Sequence, residues 1–371
     1  MIRPPHALIG LTTPNLGDDL QALAVAMHAP YVSTLVHRER LSTRQVLDPH
    51  VLVMNYWFMS KGWRKPPHPT IKPIWHGFCL GRDELLQYGW VDYFKAHAPI
   101  GCRDTHTVAA LDALGIAAYW SGCVTLFLGR KVEPVPPEQR RGVLFVDVAP
   151  EAEHLIPREL TERAERLTNL TPEAHRYDPI ARWHAIARLC DRFRRAEVVV
   201  TRRLHVALPC AGFGIPVALV VHNNPRDVRR FSGYEDFIPF LIHENGVLVR
   251  EVDWEKVGVP SIPPELVGHY EALKDRLGEV FGSLPESRAK DVAQTCKFRL
   301  PNPGLGVRTG EVEVDLGVAK VRRVPVGWSD RFIDLEIDAF AGFERFELPV
   351  AVRGPGAWSF TPVGLLAAFA V

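Results

Sequence analysis

Residues Glu197 to Val221 read EVVVTRRLHVALPCAGFGIPVALVV. The β-branched run Glu197 to Thr201 predicts a buried strand, and a short helix should follow and end near Gly212 to Gly214. Ile215 to Val221 predicts the next strand. A strand–helix–strand unit of this kind implies a parallel sheet covered by helices. Arg202, Arg203 and His205 fall at the carboxyl end of the first strand, where open α/β sheets bind ligands. A helix N-terminus favours anions there, and arginines grip phosphate or carboxylate through paired hydrogen bonds. His205 adds a group that exchanges a proton near neutral pH. The competing reading pairs the arginines with surface carboxylates and packs His205 in the core. The Arg-Arg-x-His grouping at a strand end favours the functional one.

Working outward, Gly142 to Val148 (GVLFVDV) predicts a strand and Trp183 to Ala196 an apolar-periodic helix. The first half of the chain alternates in the same way. His6 to Thr12 is an apolar run, and Leu20 to Met27 reads as a helix with Asp18 or Asp19 placed to cap it. Val51 to Trp57, Lys72 to Cys79 and Ala98 to Cys102 predict buried strands. Asp104 to Leu114 predicts a helix with Asp104 as N-cap and Gly115 as terminator. The Pro-rich stretch Val132 to Arg141 is the linker expected between two Rossmann-like domains, 1–131 and 142–300, that meet at a cleft. Within 301–371 the runs GEVEVDLG and FIDLEIDAF alternate with period two, which predicts a small antiparallel β-rich appendage for packing or oligomerisation.

A chain of 371 residues exceeds what one core usually serves, in keeping with two domains. Lys plus Arg number 44 against 43 Asp plus Glu, so the basic excess of a nucleic-acid binder is missing while a small anionic substrate remains compatible. Met1 to Gly10 holds two prolines and no apolar core, and no run approaches the ~18 apolar residues of a membrane helix. No secretory leader or transmembrane segment is therefore expected. The six cysteines show no CxxC spacing and read as reduced, mostly buried thiols of a cytoplasmic protein without a zinc site.

Three further segments carry candidate residues. In Ile100 to Leu114, Arg103 ends a short strand and should face the second domain across the cleft, unless it pairs with Asp104 or the linker. In Asn15 to Gln21 (NLGDDLQ), Asn15 and Gly17 lie in the first strand-to-helix turn. Gly17 permits close backbone approach, and Asp18 either acts as a base or only caps the helix. No dinucleotide GxGxxG occurs. His76, in IWHGF, ends another apolar run and is expected at the cleft. Cys123, in YWSGCVTLFL, has no paired base and reads as packed.

Taken together, NLGDDLQ, IGCRDTHT, SGCVTLFL and TRRLHVALPCAGFGIPV resemble the polysaccharide pyruvyl transferase family in order and spacing, with a fainter match at RFSGYEDF, 230–237. The resemblance spans Leu8 to Val221 and gives no guidance beyond Leu300. It implies a two-domain, GT-B-like fold with an acceptor-side first domain and a donor-side second domain. It also implies transfer of the enolpyruvyl group of phosphoenolpyruvate onto sugar hydroxyls, leaving a pyruvate ketal. No cofactor is implied beyond that co-substrate. The partners implied are phosphoenolpyruvate and a saccharide acceptor, with room for peripheral contact with lipid-linked glycans and for a homo-oligomer. Arg203 and His205 correspond to the family's Arg-Leu-His donor motif, and Arg103 to its mid-chain arginine. His205 would serve as acid and Asp18 as base, with Arg103, Arg202, Asn15, Gly17 and His76 binding substrate. Arg202 departs from the small residue common in the family, which either tightens anion binding or obstructs the usual donor. The alternatives are a GT-B glycosyltransferase using a nucleotide-activated sugar and a non-catalytic saccharide-binding homologue.

Overall fold

The computed structural model describes residues 6–10, 13–28, 32–43, 49–58, 65–87, 89–131, 134–172, 179–281, 294–301, 309–316, 319–327, 332–339, 351–354 and 357–360. The first half contains strands β1 (His6–Ile9), β2 (Val32–Val36), β3 (His50–Val53), β4 (Trp57–Phe58), β5 (Ile71–Ile74), β6 (Cys79–Leu80), β7 (Ile100–Cys102) and β8 (Ala118–Trp120). Its helices are α1 (Leu16–Ala26), α2 (Trp90–Ala96) and α3 (Thr105–Asp112). β1, β2, β3 and β5 form one sheet in the order β2-β1-β3-β5, parallel throughout. β4 pairs with β6 and β7 with β8 in two further parallel ladders.

The second half builds another sheet from β9 (Val143–Val146), β10 (Ala164–Leu167), β11 (Val198–Thr201), β12 (Val217–His222), β13 (Phe240–Glu244) and β14 (Val247–Arg250). Its order is β10-β9-β11-β12-β13-β14, parallel except for β14. Helices α4 (Arg158–Arg163), α5 (Pro179–Arg194), α6 (Leu204–Gly212), α7 (Pro225–Arg230) and α8 (Pro264–Phe281) accompany it. The protein is thus a mixed α/β fold with parallel sheets, as the alternating pattern predicts.

Three local expectations change. The α1 cap is Asn15, not Asp18 or Asp19: its side chain accepts from Gly17 N at 3.1 Å, and both aspartates lie inside the first turn. The strand expected over Lys72 to Cys79 breaks in two. Between β5 and β6 the chain leaves its first ladder so that Phe78 N donates to Gly101 O at 3.0 Å and Arg103 N to Phe78 O at 2.7 Å. The run Val51 to Trp57 likewise splits between β3 and β4. The Asp104 cap on α3 matches expectation, with the carboxylate accepting from Thr107 N at 2.8 Å.

The halves share one continuous apolar cluster that runs from Ala7 and Leu8 through Phe127 to Leu208 and Leu277. The 3₁₀ segment Val124–Lys131 meets α6 backbone to backbone: a Cβ on Gly129 would lie 1.8 Å from Gly212 O. Only glycine at both positions permits that approach, and it fixes α6 against the end of the first half. Helix α8 crosses back, stacking Tyr270 on Phe127 with ring centroids 4.1 Å apart and bonding Tyr270 Oη to His28 Nε2 at 3.2 Å. Of the Pro-rich stretch, 132–133 lie outside the described residues. Downstream, Arg140 Nη1 donates to Gly214 O at 2.8 Å and Arg141 N to Arg195 O at 2.7 Å, so this end is tied to the second sheet.

The alternating runs near the carboxyl end form antiparallel ladders. β15 (Gln294–Pro301), β16 (Thr309–Leu316), β17 (Ala319–Gly327), β18 (Phe332–Ala339), β19 (Ala351–Gly354) and β20 (Ala357–Phe360) pair as β15-β18 and β17-β16-β19-β20. The remaining residues of 301–371 lie outside the described residues. Among the described residues no helix is long and apolar enough to cross a membrane.

Candidate functional site

The turn after β11 is set by local chemistry. Thr201 Oγ1 donates to Val146 O at 2.9 Å and accepts from Arg203 N at 3.0 Å, pinning the strand end. Four residues beyond His205 stands Pro209, which has no amide to offer the His205 carbonyl. His205 accordingly departs from helical geometry at φ −80°, ψ 18°. Its imidazole is buried, with Nε2 unpartnered. The α1 turn closes on it so tightly that a Cβ on Gly17 would lie 2.8 Å from His205 Cβ. Burial, then the guanidiniums of Arg103 and Arg230, push the His205 pKa well below its ordinary value, so the ring is neutral at pH 7.

Arg203 is held from the next strand. Its Nε donates to Asp147 Oδ2 at 2.7 Å, and Asp147, with φ 51°, directly follows β9. The same oxygen accepts from Asn169 N at 3.2 Å. The amides of Val206 and Ala207 both return to Arg203 O, so the positive charge at this turn comes mainly from side chains.

Arg103 lies across from this turn. It follows β7, is 2% exposed, and its Nη2 donates to Cys79 Sγ at 2.8 Å. Burial raises the Cys79 pKa well above its ordinary value, so the thiol supplies no countercharge. The alternative pairing with Asp104 does not form; Asp104 is turned to cap α3, its Oδ1 accepting from Thr107 N and Thr107 Oγ1, each at 2.8 Å. Among the described residues no carboxylate lies within ion-pair distance of Arg103, and its Nε has no partner. A buried guanidinium without a counter-ion is costly in an empty site.

The third wall is the α1 turn. Asn15 Oδ1 accepts from Asn169 Nδ2 at 3.0 Å, while Leu16 N donates to Asn169 O at 2.9 Å and Thr171 N to Pro14 O at 2.8 Å. These bonds stitch the first half to the segment after β10. Asp18 Oδ2 accepts from Thr13 Oγ1 at 2.5 Å and lies 3.7 Å from Arg38 Nη1. Asp19 forms a buried ion pair with Arg182 of α5.

These walls line a pocket that is partly open to solvent. The first half lends it Asn15, Asp18, Trp57 and Arg103; the second lends Asn169, Arg203, Leu204, His205, Arg230 and Phe231. Five candidate side chains thus converge, with Gly17 beside them. Two do not. Arg202 is exposed and outside the lining, since it occupies the turn position that faces away while Arg203 turns toward Asp147. His76 is buried in the first half and also outside the lining; burial, then His269 and His28, lower its pKa to about 3.

Sequence reading did not single out Trp57, Asn169 or Arg230. Arg230 opens the fainter RFSGYEDF match, which was the available signal; the other two carry none. Arg230 pairs with Asp227 at 3.0 Å, lies 4.7 Å from the Trp57 ring centroid, and leaves Nε unpartnered. Among the described residues no cluster of His, Cys, Asp and Glu is suited to a metal ion. The arrangement is suited to a small, multiply charged anion, with a neutral imidazole and a carboxylate alongside.

A family model for polysaccharide pyruvyl transferase matches residues 46–224, which include Arg103, Arg203 and His205. No curated protein matches. A solved structure of an uncharacterised protein from Klebsiella pneumoniae subsp. pneumoniae NTUH-K2044 is similar at 13% identity and a TM-score of 0.39, over 64% of this chain and 92% of that one. Through residues 46–224, the chain is similar to the polysaccharide pyruvyl transferase family.

Proposed function

We propose that the protein transfers the enolpyruvyl group of phosphoenolpyruvate onto a saccharide hydroxyl and closes a pyruvate ketal with a second hydroxyl. The single observation that carries this reading is the buried Arg103, without a carboxylate partner, lining one cavity with Arg203, Arg230 and His205. Phosphoenolpyruvate has a phosphate and a carboxylate, and guanidiniums on opposing walls match both. A nucleotide diphosphate would also suit arginines, but this reading favours the smaller anion because Arg103, Arg203 and Arg230 line one small pocket.

In the proposed reaction an acceptor hydroxyl forms a bond to C2 of the enolpyruvyl group while C3 gains a proton and becomes a methyl. The C2–O bond to phosphate then breaks, phosphate leaves with that electron pair, and the second hydroxyl adds to C2 as its proton passes to the departing phosphate. Asp18, held by Thr13 and near Arg38, accepts a hydroxyl proton, and His205 protonates C3. Arg103, Arg203 and Arg230 support the leaving phosphate. On this reading the halves are two domains in a GT-B-like arrangement, 1–131 toward the acceptor and 142–300 toward the donor. α8 bridges them, the 301–371 segment serves packing or assembly, and the enzyme works in the cytoplasm.

The test is donor selectivity. Phosphoenolpyruvate should raise the unfolding temperature and release phosphate when a saccharide acceptor is present, because a ligand bound only by the folded form stabilises it. Protection by nucleotide sugars, with none by phosphoenolpyruvate, would transfer the assignment to glycosyl transfer.

A further inference from the structure

His205 is neutral in the empty cavity, yet the proposed reaction needs it to deliver a proton. The charged groups around it come from four elements. Asp18 stands on α1, engaged by Thr13 and Arg38; Arg103 follows β7; Arg230 ends α7, paired with Asp227. Arg203 stands on the histidine's own turn and is neutralised by Asp147. Arg103 has no carboxylate within ion-pair distance among the described residues, and Asp104, turned to cap α3, offsets its charge only from further off, so both guanidiniums disfavour a charged imidazole.

We propose that an oxyanion seated between Arg103 and Arg230 loads His205 with a proton, so that the site takes up anion and proton together. The inference deepens the donor-site reading and rests on it for the identity of the natural anion. A dianion near the imidazole replaces repulsion from two guanidiniums by attraction, and at the low effective dielectric of a buried site this reverses the preference for the neutral ring. The proton comes from solvent and bonds to a ring-nitrogen lone pair; the ring becomes a cation and no other bond changes. The acid therefore exists only in the filled site, which protects the empty enzyme from the cost of three buried cations side by side.

Sulfate is the probe, because it is a dianion that does not itself titrate near neutrality. Calorimetric titration of the full chain with sodium sulfate, in buffers of contrasting ionisation enthalpy at about pH 7, should show uptake approaching one proton per sulfate bound. His205→Gln should still bind sulfate and lose the uptake. Nitrogen-15 spectra of histidine-labelled wild type read the same protonation without a substitution. Sulfate binding to wild type without proton uptake, or uptake that persists in H205Q, overturns the proposal and leaves the donor-site reading standing. Failure of sulfate to bind removes the oxyanion seat and overturns it as well. The donor reading falls separately, if phosphoenolpyruvate neither binds nor reacts.

Discussion

The two cavity walls hold their arginines in opposite electrostatic states. Arg203, on the second-sheet wall, is 21% exposed along its side chain and bonded to Asp147. Arg103, on the first-half wall, is 2% exposed and contacts only a thiol through its guanidinium. The Arg203 charge is already compensated and its geometry set, so a ligand gains mainly orientation from it. The Arg103 charge has been removed from water with no carboxylate in ion-pair range, the nearby Asp104 attracting it only from further off, so an anion there gains more from it than from Arg203. The motif that dominates the sequence therefore contributes the more modest of the two arginines.

The sharpest way to break this contrast is Arg103→Met. Removing one member of a buried charge pair costs about 3–5 kcal/mol, so donor affinity should fall by roughly two to three and a half orders of magnitude at ~1.4 kcal/mol per decade. The unliganded variant should be as stable as wild type, or more so, because methionine replaces an uncompensated charge. Isothermal titration with donor and urea unfolding read the two effects. A donor loss under tenfold, or marked destabilisation of the empty protein, would make Arg103 a structural residue.

Arg203→Ala should be milder. Losing a charge-assisted bond costs about 1.5–3 kcal/mol, or about tenfold to a hundredfold in donor binding. An effect larger than that of the Arg103 variant would invert the comparison.

Stability against pH separates cavity from core. The folded-state pKa of His76 is lowered to about 3 from 6.5, so below pH 6.5 the unfolded chain binds a proton that the folded chain refuses. Folding stability should then fall as pH drops from about 6.5 toward 3, by at most about 1.4 kcal/mol per pH unit for this residue. Urea midpoints between pH 7.5 and 5 should show a shallower decline in His76→Gln. Sulfate should leave the His76 contribution unchanged, since that residue is outside the cavity lining.

The smallest effect belongs to Asp147→Asn, which keeps a hydrogen-bond acceptor for Arg203 while releasing its charge. Donor affinity should change by less than about tenfold, with the loss of Arg203 orientation opposed by its freed charge. A double-mutant cycle with Arg203→Ala should show coupling between the two, as residues in one ion pair are not additive. Additivity would mean that Asp147 does not govern how Arg203 meets the donor.

Much of the local architecture is legible in the residues. The Asp104 cap lies three positions from its partner Thr107, and the break at His205 follows from Pro209 four positions on. Period-two alternation anticipates strands such as β16 and β18. The α1 cap is ambiguous in the sequence because Asn15, Asp18 and Asp19 are all capping types, and only the backbone at Asn15 shows which of them precedes the first turn.

What the sequence by itself determined is features closed within about four residues: the α3 cap, the histidine break and the strand-to-helix turns. Only the tertiary structure decided which charges meet. Asp147 reaches Arg203 because β9 and β11 pair in a parallel register that sets Val146 beside Thr201. Trp57, Asn169 and Arg230 join the cavity through equally distant contacts. Arg103 is left without a carboxylate partner because its neighbour Asp104 is turned to cap α3 and no other described carboxylate comes within ion-pair distance. Such outcomes depend on sheet register and on competition among many long-range partners, and no short window of residues contains either.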